Sequence, residues 1–557
     1  MQGQPLANGT EKHCDWNSID WMKANRRVRN LRQRIFRATE QGDWRKVKSL
    51  QKLMLRSYSN VVTSVRRVSQ QNQGKKTPGI DKLIVKTPSE RGKLVDELLC
   101  LTLWRANPVR RVYIPKSNGK MRPLGIPVIR DRAMQAMVKN VLEPSWEARF
   151  ERTSYGFRPG RSAHDAMTYI FSVVNPKKKP YVIDADIKGA FDNINHDYLL
   201  KTIGDVPGKE LIKQWLKAGY VEMGQLHQTD AGTPQGGVIS PLLANIALHG
   251  LGYLFNIQFR KSCVNKYSLV RYADDFIIFC KTREDAEQGI EKLNGWLSER
   301  GLELSSEKTR ITTIQDGFDF LGFNVRIFPT KKNKTGWKTL ITPSKKSVQK
   351  IKDRLKEEWK SLQGQNVAAV LKRLPPIVRG WANYFRYQCS ARTFQDLEQY
   401  MVQREIAYAR RTHINKPKYW WKAKYFGKLP NQKYAWNFGD KSSGYYLTRF
   451  DQVHIIRHIM VKGTSSPDDP KLKKYWLDRN RKKTDELKPS LYSLAFQQKG
   501  ICPICSESLH NDERIETHHI TAKHAGGSDT LDNKILIHYL CHQQLTASQR
   551  QHGVFRG

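Results

Sequence analysis

The chain has 557 residues, in which 96 lysines and arginines oppose 52 acids for a formal net charge of +44. That length suits three or four domains with substantial cores, and that charge favours a polyanionic partner held through its phosphates. No run of about 18 apolar residues, no amphipathic lipid anchor and no signal segment at Met1-Gln2-Gly3-Gln4-Pro5 is present, so the expectation is a cytoplasmic nucleic-acid-binding protein without a membrane partner.

Residues 16–70 read as helices, with Val28, Leu31 and Ile35 as an apolar stripe and Arg26, Arg27, Arg32, Arg34 and Arg37 crowding the rest. Residues 70–79 are a turn-rich break. Beyond it the pattern is mixed α/β. Arg111 to Pro127 reads as a basic β-hairpin containing Lys116 and Arg122. Residues 181–187 form an apolar strand carrying Asp184 and Asp186, and the β-rich runs 268–271 and 276–279 flank Tyr272-Ala273-Asp274-Asp275 as a hairpin with acids at its tip. Unpaired charge near a core is costly. Two strands presenting convergent carboxylates suit paired Mg²⁺ ions of the kind used in phosphoryl and nucleotidyl transfer. On an extended strand Asp184 shares a face with Asp186, so spacing leaves both as candidates, and Asp192 is an acid of the same kind.

After Pro329 the pattern turns helical and basic. Val348, Ile351, Leu355 and Trp359 recur at helical spacing among Lys345, Lys346, Lys350 and Lys352. A second stretch with Leu371, Leu374, Ile377, Val378, Trp381 and Phe385 is predicted to break near Pro375-Pro376, and a third carries Phe394, Leu397 and Met401. Lys416 to Tyr425 alternates cations with aromatics, a composition suited to phosphate contact and base stacking. Residues 463–470 read as a flexible break. Cys14, Cys100, Cys263, Cys280 and Cys389 are scattered and read as reduced thiols. Near the C-terminus Cys502, Cys505, His538 and Cys541 have the spacing of a structural zinc site.

Taken in order, these segments resemble the group II intron-encoded reverse transcriptases. The residues that carry the likeness are Arg111–Pro127 (RVYIPKSNGKMRPLGIP), Ser154–Arg161 (SYGFRPGR), Asp186–Ile194 (DIKGAFDNI), Thr233–Pro241 (TPQGGVISP), Tyr272–Asp275 (YADD), Leu304–Thr309 (LSSEKT) and Phe318–Gly322 (FDFLG). The end of the chain, with Glu516-Thr517-His518-His519, Gly526-Gly527, Asn533 and His542, resembles an HNH endonuclease.

The resemblance implies a multidomain α/β and α protein. It would have an N-terminal RNA-binding extension (1–80), the fingers and palm of a right-hand polymerase (81–328), an α-helical thumb or domain X (329–426), a DNA-binding region (427–495) and a small ββα-metal HNH domain (496–557). It also implies that Asp186, Asp274, Asp275 and the backbone carbonyl of Ile187 hold two Mg²⁺ ions. Lys116, Arg122, Phe191, Gln235 and Lys308 would contact the incoming dNTP, Phe191 by excluding a 2′-hydroxyl. In the nuclease, His519 would activate water, His518 and His542 would bind a divalent metal and Asn533 would fix the loop. Thr546 departs from the pattern, since related domains often have a further histidine there.

The implied function is binding of intron RNA to promote splicing, nicking of target DNA, and target-primed copying of RNA on a template–primer duplex. The alternative is an RNA-binding maturase with a weak or vestigial nuclease. The intact acids favour the active enzyme. Nothing in the sequence sets the oligomeric state.

Overall fold

Short polar caps start the first helices. In the computed structural model, Asp20 accepts from the Lys23 amide at 2.9 Å to open α1 (Trp21–Glu40), and Asp43 accepts from the Lys46 amide at 3.0 Å to open α2 (Trp44–Leu55). The structure describes residues 14–100, 104–115, 119, 121–257, 265–428, 436–483, 489–511 and 513–551. Lys116, Cys263 and Met1 to Pro5 therefore lie outside the described residues. α1 turns Trp21, Ala24, Leu31 and Ile35 inward and leaves Arg26, Arg27, Arg34 and Arg37 exposed. Arg32 departs from the expected basic face and is largely buried in an ion-pair network. α3 (Tyr58–Arg66) and α4 (Pro88–Leu99) complete this layer, the latter opened by a Thr87–Glu90 capping box.

Two sheets follow. β1 (Val109–Pro115) and β2 (Met121–Ile126) form the expected antiparallel hairpin. After α5 (Ile129–Glu147) and α6 (Ala163–Val174) comes β3 (Tyr181–Ala185). The short helix α7 (Ala190–Asn193) leads through α8 (His196–Ile203) and α9 (Lys209–Lys217) to β4 (Tyr220–Glu222) and β5 (Gln225–His227). These two strands extend the first sheet in the order β2-β1-β4-β5. Helices α10 (Ser240–Ala247) and α11 (Leu251–Leu254) precede β6 (Tyr267–Tyr272) and β7 (Asp275–Cys280). With α12 (Arg283–Ser298) and β8 (Arg310–Thr313) they complete the second sheet, β6-β7-β3-β8, antiparallel throughout.

The two-residue period of these strands divides the interior. Ile183, Leu269 and Ile278 join one core shared with α12, whereas Val182, Val270, Ile277 and Phe279 join a second core shared with α6 and the later helices. Asp184, Asp186 and Asp275 are in phase with the second set.

The stretch just after Pro329 differs from the helical expectation, because a further strand precedes the helices. β9 (Phe318–Phe320), β10 (Phe323–Pro329) and β11 (Trp337–Pro343) form a third sheet, whose hairpin pairs Pro329 with Trp337. The helices begin only at α13 (Lys345–Ser361), followed by α14 (Val367–Phe385), α15 (Ala391–Thr412) and α16 (Lys418–Tyr425). α14 runs through Pro375 and Pro376, where a break was expected. Each proline forfeits an amide bond, but the stripe Val370, Leu374, Val378, Ala382 is fully buried and keeps the helix in register. A small sheet of β12 (Phe426–Gly427), β13 (Asn437–Asp440) and β14 (Tyr445–Tyr446) packs on these helices.

The segment from 454 to 470 runs back over α1, α5 and α6. Asp165 accepts from His458 (2.9 Å), from the Val461 amide (2.8 Å) and from Arg479 (3.2 Å). Arg32 binds both Asp468 (2.8 Å) and Glu143 (2.9 Å). Ser466 is buried, and its carbonyl accepts from the Trp476 indole at 2.8 Å. The expected flexible break is thus a fastened strap, because its acids and carbonyls find cations and donors on distant elements. α17 (Lys473–Lys483) and α18 (Pro489–Gln497) lead to β15 (Ile515–His519), β16 (Lys534–His538) and α19 (Tyr539–Gln551), a ββα unit. Among the described residues no helix is long and apolar enough to cross a membrane.

Candidate active site and metal centre

The β6–β7 hairpin closes on the pair Tyr272–Asp275, so Ala273 and Asp274 form a two-residue turn with Ala273 in the left-handed region at φ 59°. Buried groups hold this turn. The Arg271 guanidinium donates to Asn245 Oδ1 (2.9 Å) and to the Ala273 carbonyl (3.1 Å). Gly156 lies so close that a Cβ there would sit 2.3 Å from the Ala273 nitrogen. That explains the glycine in the 154–161 segment, which also pairs Ser154 in parallel with Arg271. Sequence reasoning missed Arg271, although an arginine inside an otherwise apolar strand was a signal.

β3 pairs Ala185 with Phe276, so Asp186 emerges beside Asp275. Burial first, then the charges of Asp274, Asp186 and Asp184, push the Asp275 carboxyl up to about 6, with Lys308 pulling the other way. Burial also raises Asp274, opposed by its own amide and by Arg122. Lys308 Nζ stands 2.7 Å from Asp186 Oδ2. Asp184 is engaged differently: it faces Arg310 across the β3–β8 ladder and pairs with it at 3.2 Å. Ile187 bridges Leu304, and the flanking bonds run from the Ser305 amide to the Asp186 carbonyl (2.8 Å) and from the Lys188 amide to the Glu303 carbonyl (3.0 Å). In that antiparallel pattern the Ile187 carbonyl itself points away from the Leu304 strand. A partly buried set of mutually repelling carboxylates fits hard divalent cations.

Arg122 Nε donates to Gln235 Oε1 at 2.7 Å, and Gln235 Nε2 reaches Asp192 at 3.5 Å. Asp192 thereby belongs to the Gln235 side of the site. Phe191 is buried and meets Phe157 edge-on with ring centroids 6.4 Å apart. Gly236, at φ 126°, lies so near β2 that a Cβ would be 2.6 Å from the Gly125 carbonyl. A cavity of about 440 Å³ lined by Arg111, Tyr113, Asp192, Thr233 and Gln235 opens here.

In the C-terminal unit, Cys502, Cys505, His538 and Cys541 are all buried, with ligand atoms all within 4.8 Å of one another. Among the described residues these four are the set gathered this tightly. No disulfide links the described cysteines. Hydrogen bonds from Cys505 and Cys541 draw the Cys502 thiol down towards thiolate. Three sulfurs and one imidazole at this separation fit a tetrahedral Zn²⁺ site.

His518 and His519 end β15. The His518 ring lies 5.0 Å from that of His542, whose Nδ1 is 2.7 Å from Glu516 Oε2. Burial, then the charges of His542 and His519, depress His518 below the usual imidazole range, which favours the neutral form. His519 Nε2 is 2.8 Å from Asp529 Oδ1, and Asp529 also binds Lys523 and Lys534. Asn533 accepts from the Thr521 amide (2.8 Å) and donates to the carbonyls of Thr521 (2.9 Å) and Ser528 (2.7 Å), pinning the loop between the strands. Thr546 Oγ1 donates to the His542 carbonyl at 2.9 Å. Glu516 and Asp529 were missed because a carboxylate's role beside a histidine is set by the fold. Only the adjacency of Glu516 to His518-His519 hinted at it.

Residues 114–325 match the model for reverse transcriptase (RNA-dependent DNA polymerase), and residues 16–98 match the N-terminal domain of reverse transcriptase. Residues 348–426 match the maturase-specific domain of group II introns and residues 502–548 the HNH endonuclease. Protein YkfC of Escherichia coli (strain K12) is 35% identical over 296 residues, which cover 46% of this chain and 77% of YkfC. Group II intron-encoded protein LtrA of Lactococcus lactis subsp. cremoris is 35% identical over 320 residues, 46% of this chain and 53% of LtrA. The chain thus spans about half the length of LtrA. A solved telomerase from Candida albicans in complex with a fragment of telomeric RNA is slightly similar, with a TM-score of 0.32 and 14% identity over 55% of this chain and 59% of that one.

Proposed function

This chain belongs to the group II intron-encoded reverse transcriptases that carry a maturase domain and an HNH domain, and on that basis we propose that it promotes splicing of its intron RNA, nicks a DNA target and copies the RNA from the freed 3′ end. The observation that carries the polymerase reading is the meeting of Asp186, Asp274 and Asp275 at the end of two paired strands, where burial and mutual repulsion raise Asp275 to about 6. Two Mg²⁺ ions bound by these acids and the Ile187 carbonyl would supply activation of the primer 3′-hydroxyl and charge neutralisation on the triphosphate. Lys308, paired with Asp186 at 2.7 Å, would orient that carboxylate. Arg122, fixed by Gln235, stands to take a triphosphate oxygen, and the buried Phe191 ring excludes a 2′-hydroxyl.

In the nuclease, Zn²⁺ held by Cys502, Cys505, His538 and Cys541 would be structural. His518 and His542 would ligate the ion at the scissile phosphate, and His519 would take a proton from the attacking water. The exposed α1 arginines and the aromatic–basic α16 would contact RNA. The free thiols and the buried cysteine cluster support a reducing cytoplasm.

Replacing Asp274 and Asp275 by Ala is expected to abolish Mg²⁺-dependent primer extension on RNA while RNA binding and assisted splicing persist. Undiminished extension would sink the site assignment. Thr546 favours one second reading, a maturase whose nuclease is vestigial. Nicking of a cognate target by the RNA–protein complex, wild type against His519→Ala, separates the two: equal nicking removes His519 from the site, and nicking by neither favours the second reading.

A further inference from the structure

Arg66, at the end of α3, is only 5% exposed. It has no carboxylate partner among the described residues, and its Nε makes no hydrogen bond. Its guanidinium lies 4.3 Å from the centroid of the Trp21 ring and donates through one terminal nitrogen to Cys541 Sγ at 3.3 Å. A buried guanidinium is costly without a counter-charge, and a cation–π contact offsets only part of that cost. The counter-charge is supplied by the four-ligand cluster. Three thiolates and a neutral imidazole around Zn²⁺ leave one net negative charge, shared by the sulfurs.

The neighbouring contacts run across the same boundary. Asn25 Nδ2 donates to the Cys505 carbonyl (2.9 Å), and Arg29 donates to the Ser506 carbonyl (2.8 Å) and pairs with Glu507 (2.7 Å). Gln544, in α19, donates to the carbonyls of Asn17 (3.0 Å) and Ile19 (2.9 Å). Trp16, Trp21, Val62, Cys502, Cys505 and Cys541 belong to one continuous apolar core. The turn bearing the first two metal ligands is therefore bound on its outer side by α1, and the fourth ligand by α3.

We propose that Arg66 is the counter-ion of the zinc–thiolate cluster, so that zinc occupancy fastens the nuclease module to the N-terminal helices. This rests on the reading of the four residues as a zinc site. The metal thereby acts beyond its own small domain: it holds α3 and, beside it, α1, whose exposed arginines are the proposed RNA contacts. Removing zinc takes away the charged cluster that faces Arg66 and frees the Cys502–Ser506 turn from its shape, which releases both sides of the contact.

The test uses the full chain as purified. Zinc content is measured first, then zinc release to a chelator and amide exchange of residues 21–40 and 58–66 with and without zinc. Arg66→Gln is expected to release zinc about 10–100-fold faster than wild type, the range for loss of an outer partner of a metal ligand. Chelation of the wild type is expected to speed exchange in both helices by about 10-fold or more. If Arg66→Gln does not fold, Arg66→Lys carries the test, since it keeps the charge but loses the planar fork and the ring contact. It should lose zinc faster than wild type by a smaller factor. A chain without zinc overturns the metal reading itself. A zinc-loaded chain whose Arg66 variants release the metal at the wild-type rate, or whose helices exchange identically after chelation, overturns the coupling alone.

Discussion

The Asp275 carboxyl, raised from 3.8 to about 6, ties the paired-strand site to pH through a residue proposed as a metal ligand. A raised carboxyl holds its proton more tightly in the folded chain than in the unfolded one. The metal-free protein therefore loses stability as pH rises between about 3.8 and 6 and stays at the lower level above that window. On the proposed reading, Mg²⁺ would bind the ionised form. Thermal stabilisation by Mg²⁺ is thus expected to be larger near pH 7.5 than near pH 5.5 and to vanish in Asp275→Asn; equal shifts at both pH values would remove Asp275 from the metal site. At the other centre, an ionised Asp529 beside His519 Nε2 would hold the proton on that nitrogen and leave Nδ1 to serve as the proposed base. Asp529→Asn should lower nicking by about 100-fold, with zinc content and primer extension unchanged. It should also alter the ¹⁵N signature of the His519 tautomer, and Asp529→Glu should restore part of both. Unaltered nicking would leave Asp529 a loop clamp for Lys523 and Lys534.

Among the elements, α15 carries the least expected chemistry. Its face toward β13 and the following loop buries Glu398 and Glu405, which burial raises to about 7 and about 8 respectively. Arg449 opposes both shifts and pairs with Glu398 at 3.4 Å. Because the folded helix binds these protons more tightly, stability falls as pH rises from about 4.5 through about 8, and below that window the penalty is absent. Glu405→Gln keeps the shape without the ionisable group. It is expected to raise stability at pH 8 by an amount on the order of 1–4 kcal/mol and to flatten the pH dependence of denaturant midpoints. A variant with the wild-type slope would contradict the shift. Sequence periodicity placed α15 correctly through Phe394, Leu397 and Met401, but it could not show that two of its acids face inward.

At the scale of the molecule, three regions far apart in sequence are tied by Arg32. It joins α1 to α5 through Glu143 and to the strap through Asp468, with every partner largely buried. These two charges hold Arg32 far above its ordinary range, and Lys139, Arg32 and Arg67 in turn bring Glu143 down to about 2 despite burial. Arg32→Met would strand the Asp468 carboxylate in the interior and leave Glu143 with Lys139 alone as its paired cation, at a cost of about 3–5 kcal/mol. Pairing it with Asp468→Asn and Glu143→Gln should recover much of that. Chemical denaturation of the three proteins checks this, and a single-variant loss below about 1 kcal/mol would show the network to be solvated. The strap is also why residues 454–470 lie against α1, α5 and α6.

The sequence by itself determined the order of the parts and the chemistry each can perform. Alternating apolar runs around Asp186 and Asp274-Asp275, the Pro-Gln-Gly turn, helical stripes after Lys345 and the Cys-x-x-Cys with His-x-x-Cys are local patterns, and local geometry obeys them. Tertiary structure alone decided which acid was claimed by an arginine, since Asp184 and Asp186 differ only in what β8 and Lys308 bring to them. It decided that Pro375 and Pro376 stay within a helix, because burial of one stripe outweighs two missing amide bonds. It also converted a Gly-Ser-Pro-rich stretch into an anchored strap and set Arg66 against the sulfur of Cys541, hundreds of residues away. Charges and donors in a folded interior must find partners wherever the chain brings them, and no window of sequence contains both halves of such a pair.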